Sequence, residues 1–161
     1  MRRKIIHKIN SLFYKLVSYF FSKYVVKIVN RNHYVHGPET NLHLGKNVAT
    51  VNTIFNTSSG QIYISDNVIF GHNCMLLTGR HDFLKGKRKT FSGQPDTPSK
   101  GYDIKIGNGT WIASGAILIG GVEVGANCIV CSGAVVTKCF PENSVIAGIP
   151  AKTISSTFDR G

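Results

Sequence analysis

From Ile104 to Thr137 the chain reads IKIGNGTWIASGAILIGGVEVGANCIVCSGAVVT, and every sixth residue from Ile106 is aliphatic: Ile106, Ile112, Leu118, Val124, Val130 and Val136. Four residues after each of the first five stands a small or β-branched residue: Thr110, Ala116, Val122, Cys128 and Ala134. A period of six fits neither the 3.6-residue turn of an α-helix nor a single alternating strand. It fits short strands that each bury one large side chain and leave room for a small one at the next corner, with glycines between. Three such strands, about eighteen residues, close one coil, and stacked coils form a three-sided prism faced by parallel sheets. The fold class this predicts is an all-β core, a parallel β-helix of hexapeptide repeats.

The 161 residues suffice for one compact domain with an appendage. Lys and Arg number 19 against 8 Asp and Glu. Arg2, Arg3, Lys4, Lys8, Lys15, Lys23, Lys27 and Arg31 precede the first carboxylate, Glu39. The basic excess therefore describes the N-terminal segment more than the domain. That segment, MRRKIIHKINSLFYKLVSYFFSKYVVKIVN, has Ile5, Ile9, Leu12, Phe13, Leu16 and Phe20 at three- and four-residue steps with lysines interleaved. This is the pattern of an amphipathic helix.

Its longest uncharged run, Leu16 to Ser22, is far short of the roughly 20 residues that span a bilayer. Lysines interrupt any signal-peptide core. Two readings stay open: packing on the domain or a neighbouring subunit, or attachment of residues 1–30 to an anionic membrane surface. Nucleic acid explains the charge but not the aliphatic face. The expected compartment is the cytoplasm, with the inner membrane surface as an option.

Residues 1–37 read as helix and linker, 38–154 as the β-helix domain and 155–161 as a short tail. Leu44 and Val48 begin the repeat weakly, and NTSSGQ from Asn56 marks a small insertion, because the phases of Leu44 and Ile64 differ by two residues. Ile64, Phe70 and Leu76 restore the step. The pattern stops at Thr78, and residues 82–103 form one long aperiodic loop, a length that in a compact repeat domain points to function. KCFPEN, from Lys138, is read as a turn that ends the stacking, with SVIAGIPAK as a cap.

Cys74 and Cys128 fall in small inward slots, and Cys128 with Cys131 makes a C-x-x-C that has no second pair, so no disulfide or zinc site is expected. His7, His33 and His36 read as solvated or structural, and His72, two residues after Phe70, as a turn residue at a coil corner. His81 differs, standing in LLTGRHDF where the repeat stops and the basic loop begins. A histidine at the end of a rigid coil, with Asp82 beside it, suits a positioned general base. A structural role is the alternative.

The run IKIGNGTWIASGAILIGG…IVCSGAVVTKCFPENSVIAGIPAK resembles the left-handed β-helix hexapeptide-repeat acyltransferases, in particular the maltose- and galactoside-type and polysaccharide-cluster sugar O-acetyltransferases. The likeness spans about residues 42–152. It implies left-handed coiling, acetyl-CoA as co-substrate, a homotrimer with sites between prisms, and no metal. Carried over by motif, His81 matches the family's base. Trp111, Ser114, Ser132, Thr137, Lys138 and Lys152 match cofactor-binding positions. Asn52 and Asp82 are the acceptor-side candidates. Ala113, Cys131 and Cys139 depart from the usual motif residues.

The implied reaction is direct acetyl transfer to a hydroxyl of a sugar or polysaccharide precursor, with His81 taking the proton. Arg80, Lys85, Lys87, Arg88 and Lys89 either bind a phosphate of the acceptor or keep the loop soluble. N-acetylation of an amino or nucleotide sugar is the nearest rival. A zinc carbonic anhydrase of the same fold lacks its three histidines here, and a non-catalytic scaffold leaves Trp111 and the TK and PAK motifs unexplained.

Overall fold

A computed structural model describes residues 2–20, 33–93 and 95–160. The chain divides into two units, residues 1–31 and 32–161. The first holds helix α1 (Arg2–Phe20), without an acidic residue in its first turn. The rest of the expected amphipathic segment, residues 21–32, lies outside the described residues.

The second unit opens with strand β1 (His33–His36), so these residues, expected as linker, already belong to the prism. Four full coils follow: β2 (Leu42–Leu44), β3 (Ala49–Val51), β4 (Thr53–Asn56); β5 (Ile62–Ile64), β6 (Ile69–His72), β7 (Met75–Leu77); β10 (Ile104–Ile106), β11 (Trp111–Ile112), β12 (Ile117–Ile119); and β13 (Val122–Val124), β14 (Ile129–Val130), β15 (Val135–Val136). Between the second and third coils the loop carries a small hairpin, β8 (Phe83–Leu84) and β9 (Lys87–Arg88). β16 (Ser144–Gly148) and β17 (Ala151–Ser156) close the top.

Three sheets result, ordered β1-β4-β7-β12-β15, β2-β5-β10-β13 and β3-β6-β11-β14-β16-β17. Every pairing in them is parallel except β16 with β17. This is the expected β-helix. The stacking does not end at KCFPEN: Phe140 bridges Val124 in parallel and β16 pairs β14 before β17 folds back.

The hexad rows become the core. Phe55, Leu76, Leu118 and Val136 stack on one sheet, and Phe70, Ile112, Val130 and Ile146 on another, all buried. Each such side chain contributes about 1.5–3 kcal/mol of transfer free energy. The small slots are buried too, and Thr110 satisfies its hydroxyl by donating to the Gly125 carbonyl (2.9 Å) and accepting the Cys128 N–H (3.2 Å).

Corners need left-handed backbone, which Asn and Gly tolerate. Asn47, Asn67, Gly109, Asn127 and Asn143 take positive φ at one edge, and Asn52, Asn73, Gly115 and Gly133 at the next. Corner N–H groups donate to the coil below, as Asn127 does to the Asn108 carbonyl (2.8 Å).

The phase difference of two has a structural origin. Phe55 and Ile64, both buried, are nine residues apart, whereas Leu118 and Val124 are six apart, so the corner at residues 56–61 carries three extra. One residue is recovered at the irregularity between Ala49 and Val51.

Candidate active site

The extra corner is the platform for the long loop. Ser59 is fully buried, and its N–H donates to Thr78 Oγ1 (3.1 Å) where the chain leaves the prism. Its Oγ accepts the Arg80 N–H (3.3 Å) and its carbonyl accepts the Tyr102 N–H (3.2 Å) where the chain returns. Asp103 Oδ1 accepts the Gln61 N–H (2.8 Å). A Cβ at Gly60 would stand 2.6 Å from the Tyr102 carbonyl carbon, so only glycine lets the two backbones meet. The guanidinium of Arg80 lies over the Tyr102 ring, 5.1 Å from its centroid.

His81 is held on both sides, by the Arg80 N–H on Ser59 and by the Asp82 N–H on the Asp96 carbonyl (2.6 Å). Its Nδ1 stands 3.3 Å from Asp96 Oδ2, 3.3 Å from Arg88 Nη2 and 3.4 Å from Thr97 Oγ1, and its side chain is 57% exposed. Asp96 is buried among charges: Arg88 donates to Oδ2 from Nε (2.6 Å) and Nη2 (2.5 Å). A hydrogen bond from Thr90, then those from Arg88 and His81, hold the Asp96 carboxyl far below the usual carboxylate range against the opposing effect of burial. An ionised carboxylate thus faces one nitrogen of an open imidazole.

The carboxylate on His81 is therefore Asp96 and not the sequence neighbour Asp82. Asp82 pairs with Lys89 Nζ (2.8 Å) and Arg80 Nε (3.7 Å), and its carbonyl accepts the Lys89 N–H (3.0 Å). Arg88 and Lys89, read as phosphate contacts or solubilising charges, are both engaged in ion pairs inside the loop. Lys85 and Lys87 flank the hairpin turn, exposed. Beside them a depression lined by Phe83, Gly86, Lys87, Arg88 and Phe91 opens to solvent.

Asn52 sits at a left-handed corner (φ 48°), and its amide donates to Asn73 Oδ1 (2.5 Å). Trp111 starts β11 about half exposed on the outer face. Ser114 and Ser132 occupy the same corner one coil apart, and Ser114 Oγ accepts the His72 N–H (3.1 Å). Thr137 and Lys138 are exposed at the edge from which the His81 loop springs, with Lys138 Nζ 5.5 Å from the Phe140 ring centroid. Lys152 lies exposed in β17 opposite Ala147. No hydrogen bond or ring contact among the described residues joins Trp111, Ser114 or Ser132 to His81. The described residues contain no group of three or more metal-ligating side chains. Burial raises the thiols of Cys74 and Cys128 above their ordinary range, in keeping with core positions.

Residues 103–138 match the family of the bacterial transferase hexapeptide (six repeats). The chain is a hexapeptide-repeat β-helix. It is 32% identical over 124 residues to a galactoside O-acetyltransferase of Escherichia coli K12, covering 75% of this chain and 57% of that protein. It is 35% identical over 115 residues to a putative acetyltransferase of Schizosaccharomyces pombe, 71% of this chain and 52% of the other. The chain thus spans little more than half the length of these relatives. Among solved structures it resembles a galactoside acetyltransferase in complex with coenzyme A (30% identity, TM-score 0.65, 80% of this chain and 64% of that one). It also resembles a maltose O-acetyltransferase from Clostridium difficile 630 (29% identity, TM-score 0.62, 78% and 67%).

Proposed function

We propose that this chain is an acetyl-CoA-dependent O-acetyltransferase that acetylates a hydroxyl of a sugar or polysaccharide precursor, with His81 as general base. The observation that carries the reading is the open imidazole fixed at the root of the loop with Asp96 on its Nδ1. Assigning the Nδ1 proton to the bond with Asp96, in competition with Arg88 Nη2 at the same distance, leaves the Nε2 lone pair for the acceptor hydroxyl. The hydroxyl oxygen attacks the thioester carbonyl as its proton passes to Nε2. The tetrahedral intermediate then expels the thiolate, which takes that proton back and leaves as the thiol. Asp96 stabilises the imidazolium formed on the way. Alignment of two bound substrates supplies up to about 7–11 kcal/mol of the barrier reduction in favourable cases.

Coenzyme A in the related galactoside acetyltransferase structure supports acetyl-CoA as the donor. Trp111, Ser114, Ser132, Thr137, Lys138 and Lys152 are its proposed contacts, the lysines suiting phosphate. Asn52 and Asp82 are proposed on the acceptor side, with the exposed rings of Phe83 and Phe91 as a further surface for a sugar. His81 and Thr137–Lys138 lie on one edge of the prism, Ser114 and Ser132 on another. A single prism keeps these sets apart, and packing edge to edge in a homotrimer joins them, so the proposed site lies between two copies. The proposed domain is residues 32–161 rather than 38–154, since β1 pairs with β4 and Ser155 and Ser156 pair with β16, and the proposed compartment is the cytoplasm.

The test is thiol release from acetyl-CoA on a panel of hydroxyl and amino sugars. Turnover on hydroxyl sugars supports the proposal. Turnover confined to amino sugars moves it to N-acetylation, and failure to bind acetyl-CoA refutes it.

A further inference from the structure

The feature that acetyl transfer leaves unused is α1. At about 100° per residue, Ile5, Ile6, Ile9, Leu12, Phe13, Leu16, Val17 and Phe20 take positions within one arc of about 140°. The remaining arc holds Arg3, Lys4, His7, Lys8, Asn10, Ser11, Tyr14, Lys15 and Ser18, with Tyr19 at the boundary, and Arg2, the first residue of the helix, falls within the apolar arc. Leu12, Phe13 and Leu16 are 71%, 67% and 68% exposed. Residues 1–38 hold eight basic side chains and no carboxylate, while the rest of the chain has eleven basic against eight acidic. No helix among the described residues is long and apolar enough to cross a membrane.

We infer that α1 is an interfacial helix that binds an anionic lipid surface, its aliphatic and phenylalanine arc in the acyl boundary and its lysines on the headgroups. A protein groove would accept the apolar arc but gives no reason for a segment wholly without acids. An anionic bilayer satisfies both faces at once. Leu and Phe at the arc's centre take the place of buried core, and the Tyr ring at its margin suits the headgroup level. The inference is independent of acetyl transfer, since binding needs neither donor nor acceptor.

The experiment is flotation of the full chain with phosphatidylcholine vesicles, with or without about one-third phosphatidylglycerol. The chain is expected to float with the anionic vesicles, to stay behind with the neutral ones, and to bind more weakly as salt rises. The double variant Lys8→Gln/Lys15→Gln is expected to lower partitioning on the order of 20- to 30-fold, since each lysine at the surface gives several-fold. Phe13→Gln/Leu16→Gln is expected to lose flotation while the prism's melting transition is unchanged. Absence of flotation with anionic vesicles by the folded chain overturns the inference, as does equal flotation of all three proteins. If wild type does not float and Phe13→Gln/Leu16→Gln instead lowers the oligomeric mass, the arc is a subunit contact and the inference falls.

Discussion

Replacing Asp96 with Asn keeps the shape of the side chain and removes its charge. Asp96 is almost wholly buried, with Arg88 on one oxygen and His81 Nδ1 at 3.3 Å. The amide retains one acceptor but loses the charge assistance that makes such bonds roughly twice as strong as neutral ones. It also gains an N–H pair that, turned toward His81, favours the wrong imidazole tautomer. Removal of a general base outright costs about 10²–10⁴-fold. Asp96 acts only through an imidazole that is itself half open to water, so Asp96→Asn is expected to lower kcat about 10- to 100-fold. KM for acetyl-CoA should change less than about threefold, because this pocket holds none of the proposed cofactor contacts. The assay is steady-state thiol release at pH 7. The sign of the pH effect follows from the carboxyl lying well below its ordinary value near 3.9. Its contribution to loop order is fully present above that value and is lost only as pH falls below it, so any titration between pH 5 and 8 belongs to another group. A kcat within twofold of wild type refutes the positioning role.

Three further outcomes follow from packing. Leu118→Ala, in the centre of a buried row, should cost about 3–4 kcal/mol, whereas the adjacent, outward and partly exposed Ile119→Ala should cost under about 1 kcal/mol; denaturant melts of both test the inside–outside register. Gly60→Ala forces the Tyr102 backbone away and should speed tryptic cleavage at Lys85–Lys89 and lower kcat at least about tenfold, with the prism's melting transition nearly unmoved. Lys152→Ala, at an exposed site, should raise KM for acetyl-CoA several-fold with kcat preserved, read by the same thiol assay.

The prism was legible because burial repeats along the chain: Ile106 to Val136 mark one inward position per strand, and that period has few alternatives. The exit at Thr78 and re-entry at Ile104 were legible as loss and return of the same pattern. β1 was not, because HYVH has one strand's worth of residues and no repeat to place it in phase. KCFPEN misled because proline interrupts the hexad, yet Phe140 still bridges Val124. His81 stood out by its place at a phase break, but its partner did not. Asp96 lies fifteen residues on, in a loop with no period, whereas Asp82 is adjacent in sequence and turned to Lys89. Ser59 was readable only as part of an insertion, since its function is to join two backbone segments whose meeting no local pattern records. The proposed cofactor contacts come from the motifs alone, since Ser114 and Ser132 lie on a different edge of the prism from Thr137 and Lys138.

The central claim is that His81 is the base of an acetyl transfer, and the direct measurement compares acetyl-CoA turnover by wild type and His81→Ala on the best hydroxyl sugar of the panel. The account predicts a loss of about 10²–10⁴-fold in kcat with acetyl-CoA binding retained. Full activity in the variant, with the sugar still acetylated on oxygen, contradicts it.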